Sequence, residues 1–152
     1  MSTLEGTQAP AFTLQASGNR TVTSDALKGR PYVLYFYPKA DTTGCTKEAQ
    51  SFQALLPSFR DKKVEIIGVS RDPIKALDKF AAKYGLEFPL ASDEAGELTT
   101  AYNVWVEKSM YGRKYMGIER STVLVDTNGI IAKAWPKVKI DGHAEEVLSA
   151  VK

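Results

Sequence analysis

The residues in this chain best suited to chemistry are a single cysteine, Cys45, a single histidine, His143, and an arginine, Arg120, that leads an apolar run in "GIERSTVLVD". Cys45 lies in "YFYPKADTTGCTKEAQ", between an aromatic β-type run and the start of an amphipathic helix. The first-turn N–H groups of a helix have no intrahelical partners, and the helix dipole leaves partial positive charge there, so a thiolate is favoured at that position. The spacing Cys45–Ala49–Phe52 turns the sulfur inward, toward the bottom of a pocket. An inert alternative stands beside this one, because a free cysteine usually behaves as a small buried hydrophobe. Context favours reactivity: Gly44 permits close backbone approach, Thr42 and Thr43 precede it, and a loop after a buried strand delivers it.

Several chemistries are excluded. Cys45-Thr46-Lys47-Glu48 is not C-x-x-C, so dithiol exchange within the chain is closed. One cysteine and one histidine cannot make a four-ligand zinc site. No phosphate-binding glycine loop and no G-x-G-x-x-G is present. His143, in "DGHAEEVL", reads as a capping or solvated residue at the start of the last helix, so Cys45 must be activated without histidine. The helix terminus, hydroxyls and a cation remain. Arg120 is either a charge at the sheet edge or, turned inward, a guanidinium that stabilises the thiolate and binds an oxygen anion.

The elements that must position these groups follow from patterning. "AFTLQ" and "RTVTS" alternate around "ASGN" as a short N-terminal hairpin, and "PYVLYFY" has no polar face, as expected of a central strand. Apolar residues at Cys45, Ala49, Phe52, Leu56 and Phe59 mark a helix over 43–59, which Pro57 should kink or end. "VEIIGVS" is a second buried strand; "DPIKALDKFAAKYG" is a helix with Asp72 placed to cap and Gly85 at the stop. A short "FPLASD", a helix near 94–102 and a long loop over 103–119 precede the antiparallel pair "STVLVD" and "IIAKAW". "GHAEEVLSAVK" closes the chain as a helix. The order implies an α/β fold, a central mixed sheet flanked by helices, as a thioredoxin-type core requires.

With 152 residues and no linker or repeat, 1–152 reads as one domain. Twenty basic residues against eighteen acidic ones leave a charge of +2, interspersed, which calls for neither nucleic acid nor a membrane surface. The N-terminus lacks a signal-peptide pattern, and the absence of a disulfide framework fits a reducing cytoplasm. The aromatic and sulfur-rich stretch 105–117, with Met110, Tyr111, Tyr115 and Met116, reads as packing over the core, the alternative being an apolar wall beside Cys45 for alkyl hydroperoxides. Trp135 with Lys133, Lys137 and Lys139 reads as an ordinary exposed strand face.

Together, "PKADTTGC" (Pro38, Thr42, Cys45) and the Arg120 block resemble the two signatures of the peroxiredoxins. "IIGVSRD", "KFAAKYGLEFPLASD", "EKSMYGRKYMGIERSTVLVD" and "HAEEVL" narrow the resemblance to the bacterioferritin comigratory protein, or peroxiredoxin Q, branch, over nearly the entire chain. That resemblance implies a thioredoxin-like fold and a monomeric thiol peroxidase that reduces hydrogen peroxide and organic hydroperoxides without metal or flavin. Cys45 would be the nucleophile, Thr42 would offer its hydroxyl to the peroxide, Pro38 would shield the thiolate, and Arg120 would hold the charge. Gly44 would contribute backbone N–H, and Glu48 would orient Arg120 or else be a solvated helix-face carboxylate. Many members of the branch carry a resolving cysteine at the positions occupied here by Gln50 or Ala81. A one-cysteine variant would need an external thiol such as thioredoxin, glutaredoxin or glutathione. The rival is a peroxide-sensing or chaperone-like protein on the same scaffold.

Overall fold

The computed structural model describes residues 4–151. Met1–Thr3 and Lys152, which carry the start of the N-terminal reading and the last residue of the closing segment, lie outside the described residues. The chain opens with the expected hairpin, β1 (Thr13–Ala16) and β2 (Arg20–Thr23), turned by Gly18 and Asn19 at φ of 76° and 58°. Then follow β3 (Tyr32–Phe36), α1 (Thr43–Asp61), β4 (Glu65–Ser70), α2 (Ile74–Tyr84), β5 (Leu90–Ser92) and α3 (Glu97–Ala101). The second half is β6 (Trp105–Met110), β7 (Arg113–Ile118), β8 (Ser121–Val125), β9 (Ile131–Trp135) and α4 (His143–Ala150).

Seven strands form one mixed sheet in the order β2-β1-β5-β4-β3-β8-β9, so the apolar run of β3 lies well inside it and is buried at every position. β3 runs parallel to β4 and antiparallel to β8. Alternation along β3 supplies two core layers. Val33, Tyr35 and Tyr37 face α1, α2 and α4 through residues such as Phe52, Phe80 and Val147. Tyr32, Leu34 and Phe36 face Phe12, Leu98 and Tyr102 on the other side. This is the thioredoxin-like arrangement, and it fixes the site: Phe36 pairs with Ser121, so Arg120 stands at the end of the sheet where the chain leaves β3 for α1.

Four expectations need correction. Pro57 does not end α1, which continues to Asp61, because the buried stripe of Phe52, Leu56 and Phe59 holds the last turns despite one missing N–H. Asp72 does not cap α2: its Oδ2 accepts from the Ala40 N–H at 2.8 Å and the Ser70 hydroxyl at 2.8 Å, tying down the loop before Cys45. Gly85 does end that helix, in the left-handed region at φ 63°. The stretch 105–117 is a hairpin rather than a loop, and apart from Trp105 at its base, which packs on the second core layer, its large apolar residues do not cover the core. Met110 pairs with Arg113 across a two-residue turn, Tyr111-Gly112, with φ of 52° and 78°. The expected burial fails there, since Tyr111 is 98% exposed and Met110, Tyr115 and Met116 are also exposed. His143, the fourth, is described with the site.

Candidate active site

Cys45 is the third residue of α1 after Thr42, the residue at the helix's N-terminal boundary, and it is 1% exposed. Ala49 and Phe52 follow on the same buried face, as the spacing requires, and Glu48 shares it. The first turn has no acidic residue and no side-chain cap, so the positive end of the helix next to Cys45 is not neutralised by its own side chains. The Thr42 hydroxyl donates to the Lys39 carbonyl at 2.9 Å, which leaves the oxygen lone pairs as acceptors. Pro38 is exposed in the turn after β3.

Arg120 turns inward. Its Nη2 donates to Cys45 Sγ at 3.3 Å and its Nη1 to Glu48 Oε1 at 2.6 Å. The guanidinium fork thus spans two acceptors one helical turn apart. Gly44 makes room: a Cβ there would lie 3.4 Å from Arg120 Nη2 and 3.2 Å from Ile140 Cδ1. Ile140 is a covering residue that sequence reasoning missed; it comes from the β9–α4 connection, whose Val138 N–H also donates to the Arg120 carbonyl at 2.8 Å.

Burial pushes the Glu48 carboxyl up to about 7, and Arg120 recovers only part of that. Oε2 is buried without a hydrogen-bond partner, which explains why one good ion pair does not restore the ordinary value. For Arg120, burial pulls its pKa down, but Glu48 and Cys45 outweigh that and hold it above its ordinary value. The two shifts disagree: the arginine's marks the ion pair as favourable, the carboxyl's marks it as costly. The carboxyl side decides the cost of burial, since the Glu48 side chain is 1% exposed whereas that of Arg120 keeps 17% of its surface in solvent.

His143 is neither cap nor solvated. It is buried between Phe52 and Trp135, with Nε2 at 2.8 Å from Thr122 Oγ1 and Nδ1 at 3.3 Å from Glu146 Oε1. Its ring therefore serves the α4 contact rather than Cys45, and burial pulls its pKa down. Trp135 is half-buried against this ring, so only its lysine neighbours Lys133, Lys137 and Lys139 form an exposed face. A cleft of about 240 Å³ lined by Phe36, Tyr102 and Trp135 belongs largely to the other core layer, not to the cysteine. On the outward side of the first turns of α1, Thr42, Lys47, Gln50 and Tyr84 line an open groove of about 430 Å³ that Cys45 itself does not line. Among the described residues, no cluster of three or more His, Cys, Asp or Glu is placed to hold a metal, and no helix is long and apolar enough to cross a membrane.

The AhpC/TSA family model matches residues 6–134. The chain belongs to the AhpC/TSA family. Within that family it is 49% identical over 139 residues to Peroxiredoxin Bcp of Xanthomonas campestris pv. campestris, covering 91% of this chain and 87% of that protein. It is 43% identical over 147 residues to Peroxiredoxin Bcp of Bacillus subtilis, covering 97% and 94%. A structure bearing on the alkyl peroxide reduction activity of Xanthomonas campestris bacterioferritin comigratory protein superposes with a TM-score of 0.87 at 47% identity, covering 92% of this chain and 89% of that one. This AhpC/TSA protein carries one thiol, Cys45. Gln50 is exposed on α1, and Ala81 is packed partly against the core on α2.

Proposed function

We propose that this AhpC/TSA protein is a one-cysteine peroxidase that reduces hydrogen peroxide and organic hydroperoxides at Cys45. The observation that carries this reading is the Arg120 fork, with one nitrogen 3.3 Å from the buried sulfur and another 2.6 Å from Glu48. A sulfur that only filled space would need no inward-turned cation beside it. The thiolate attacks the outer oxygen of the peroxide; the S–O bond forms as the O–O bond breaks, giving Cys45 sulfenic acid and an alkoxide or hydroxide. That anion takes a proton from water and leaves as alcohol or water. Arg120 N–H and the first-turn N–H groups at Gly44 and Cys45 face the charge that develops, while the Thr42 oxygen accepts from the peroxide O–H. Pro38 shields the site, and Glu48 orients Arg120.

Resolution then needs an external thiol. One thiol displaces water from the sulfenic acid to form a mixed disulfide, and a second thiol releases Cys45 as the thiolate or thiol. Thioredoxin, glutaredoxin or glutathione would serve, acting on a monomer in the cytoplasm. The test is peroxide consumption coupled to NADPH, run once through thioredoxin and its reductase and once through glutaredoxin and glutathione. Sustained turnover with either is expected. One stoichiometric oxidation without recycling would favour a peroxide sensor or chaperone-like protein.

A further inference from the structure

Lys108 lies on β6 directly across from Tyr115 on β7, and its stem crosses Gly117. A Cβ at Gly117 would come 3.2 Å from Lys108 Cδ and 3.4 Å from Cε, so glycine there opens the trough in which the lysine lies. The stem ends on the turn that carries Arg120, where Nζ donates to the Ile118 carbonyl, two residues before the arginine. That turn is also held by Glu119 N–H on the Val104 carbonyl at 2.7 Å and by the Ser121 hydroxyl on the Glu119 carbonyl at 3.0 Å. Ile118 is the last residue of β7, so Lys108 braces the end of the hairpin from which the arginine turn departs.

Its surroundings are charged as well as close. Burial and Arg120 lower the Lys108 pKa, Glu119 and Cys45 raise it, and the net is a fall from the ordinary value.

We propose that Lys108 is a positioning residue for the peroxide reaction, bracing the end of β7 from which the Arg120 turn departs and so holding the guanidinium in place. The inference rests on the peroxidatic reading of Cys45. A lysine that merely packs on a hairpin would act through its stem alone. Lys108→Met keeps the stem and removes the donor to the Ile118 carbonyl; Lys108→Arg keeps both.

The experiment is stopped-flow oxidation of Cys45 by hydrogen peroxide between pH 5 and 8 in the unsubstituted protein and both variants. Lys108→Met should slow the reaction about three- to tenfold at neutral pH and move the midpoint of its pH profile upward. Lys108→Arg should recover most of both. An unchanged rate and midpoint in Lys108→Met overturns the inference, as does a Lys108→Arg protein as slow as Lys108→Met. If Lys108→Met does not fold, Gly117→Ala, which displaces the stem and with it the Nζ bond to Ile118, must slow the reaction; an unchanged rate overturns the inference. An unreactive Cys45 in the unsubstituted protein overturns both this inference and the peroxidase reading, whereas a reactive Cys45 indifferent to Lys108 overturns only this one.

Discussion

Arg120 and Cys45 meet at 3.3 Å across 75 positions of sequence, with the other arm of the same guanidinium on Glu48. The arginine therefore sees the sulfur and its own counter-ion at once. Any change in one of the three groups moves the other two.

Replacing Arg120 with alanine removes the donor that faces the sulfur. The second-order rate with hydrogen peroxide should fall roughly 10²–10³-fold, the usual cost of deleting a preorganised donor. Stopped-flow comparison across pH checks this, and the remaining reaction should require a higher pH. Arg120→Lys keeps the charge but not the fork, so it should recover only part of the rate.

Gly44→Ala separates stability from chemistry. Alanine favours a helix, yet its Cβ would press on Arg120 Nη2 and Ile140 Cδ1 at 3.4 and 3.2 Å. Thermal unfolding should change little, while peroxide reactivity falls roughly ten- to hundredfold through displacement of the arginine. Equal reactivity would show that the arginine tolerates the shift.

Glu48 makes a stability prediction with a definite sign. Its pKa is about 7 in the folded protein against 4.5 for the free carboxyl, so the folded state binds its proton more tightly. The stabilisation this gives is fully present below pH 4.5 and is lost as pH rises through 7. Glu48→Gln has no such loss. The stability of the variant relative to the unsubstituted protein should rise with pH between these limits, by up to about 1.4 kcal/mol per pH unit. Urea unfolding at pH 5 and 8 measures it. Loss of the Arg120 partner adds a roughly constant penalty that does not alter the slope.

Gly68→Ala tests the wall behind the site. A Cβ there would fall 2.8 Å from Tyr35 Cζ, and Tyr35 cannot retreat because its ring stacks on Phe52 at 4.7 Å. A loss of about 1–3 kcal/mol in unfolding free energy, read from urea denaturation, is expected.

Much of this is legible in the sequence because it depends on local period. The apolar steps of α1 put Cys45 on its buried face, and Glu48, three residues on, shares that face by the same geometry. The strand pair β8–β9 and the Gly85 stop are equally local. What stays hidden depends on contacts between distant residues. The inward turn of Arg120 follows only from the pairing of β8 with β3, which places the arginine beside the start of α1. Ile140 over Gly44 and His143 on Thr122 are contacts of the same long-range kind. The β6–β7 hairpin escapes notice for a turn-chemistry reason. Its first turn position, at φ 52°, carries Tyr111 where Asn or Asp would have signalled the bend.

Whether Cys45 is a peroxidatic nucleophile is decided by intact mass after one equivalent of hydrogen peroxide, with stopped-flow timing. Rapid consumption is expected, with a single-oxygen adduct on the protein and none on Cys45→Ser. Oxidation no faster than that of an ordinary free thiol, or an adduct that persists in Cys45→Ser, would contradict the assignment.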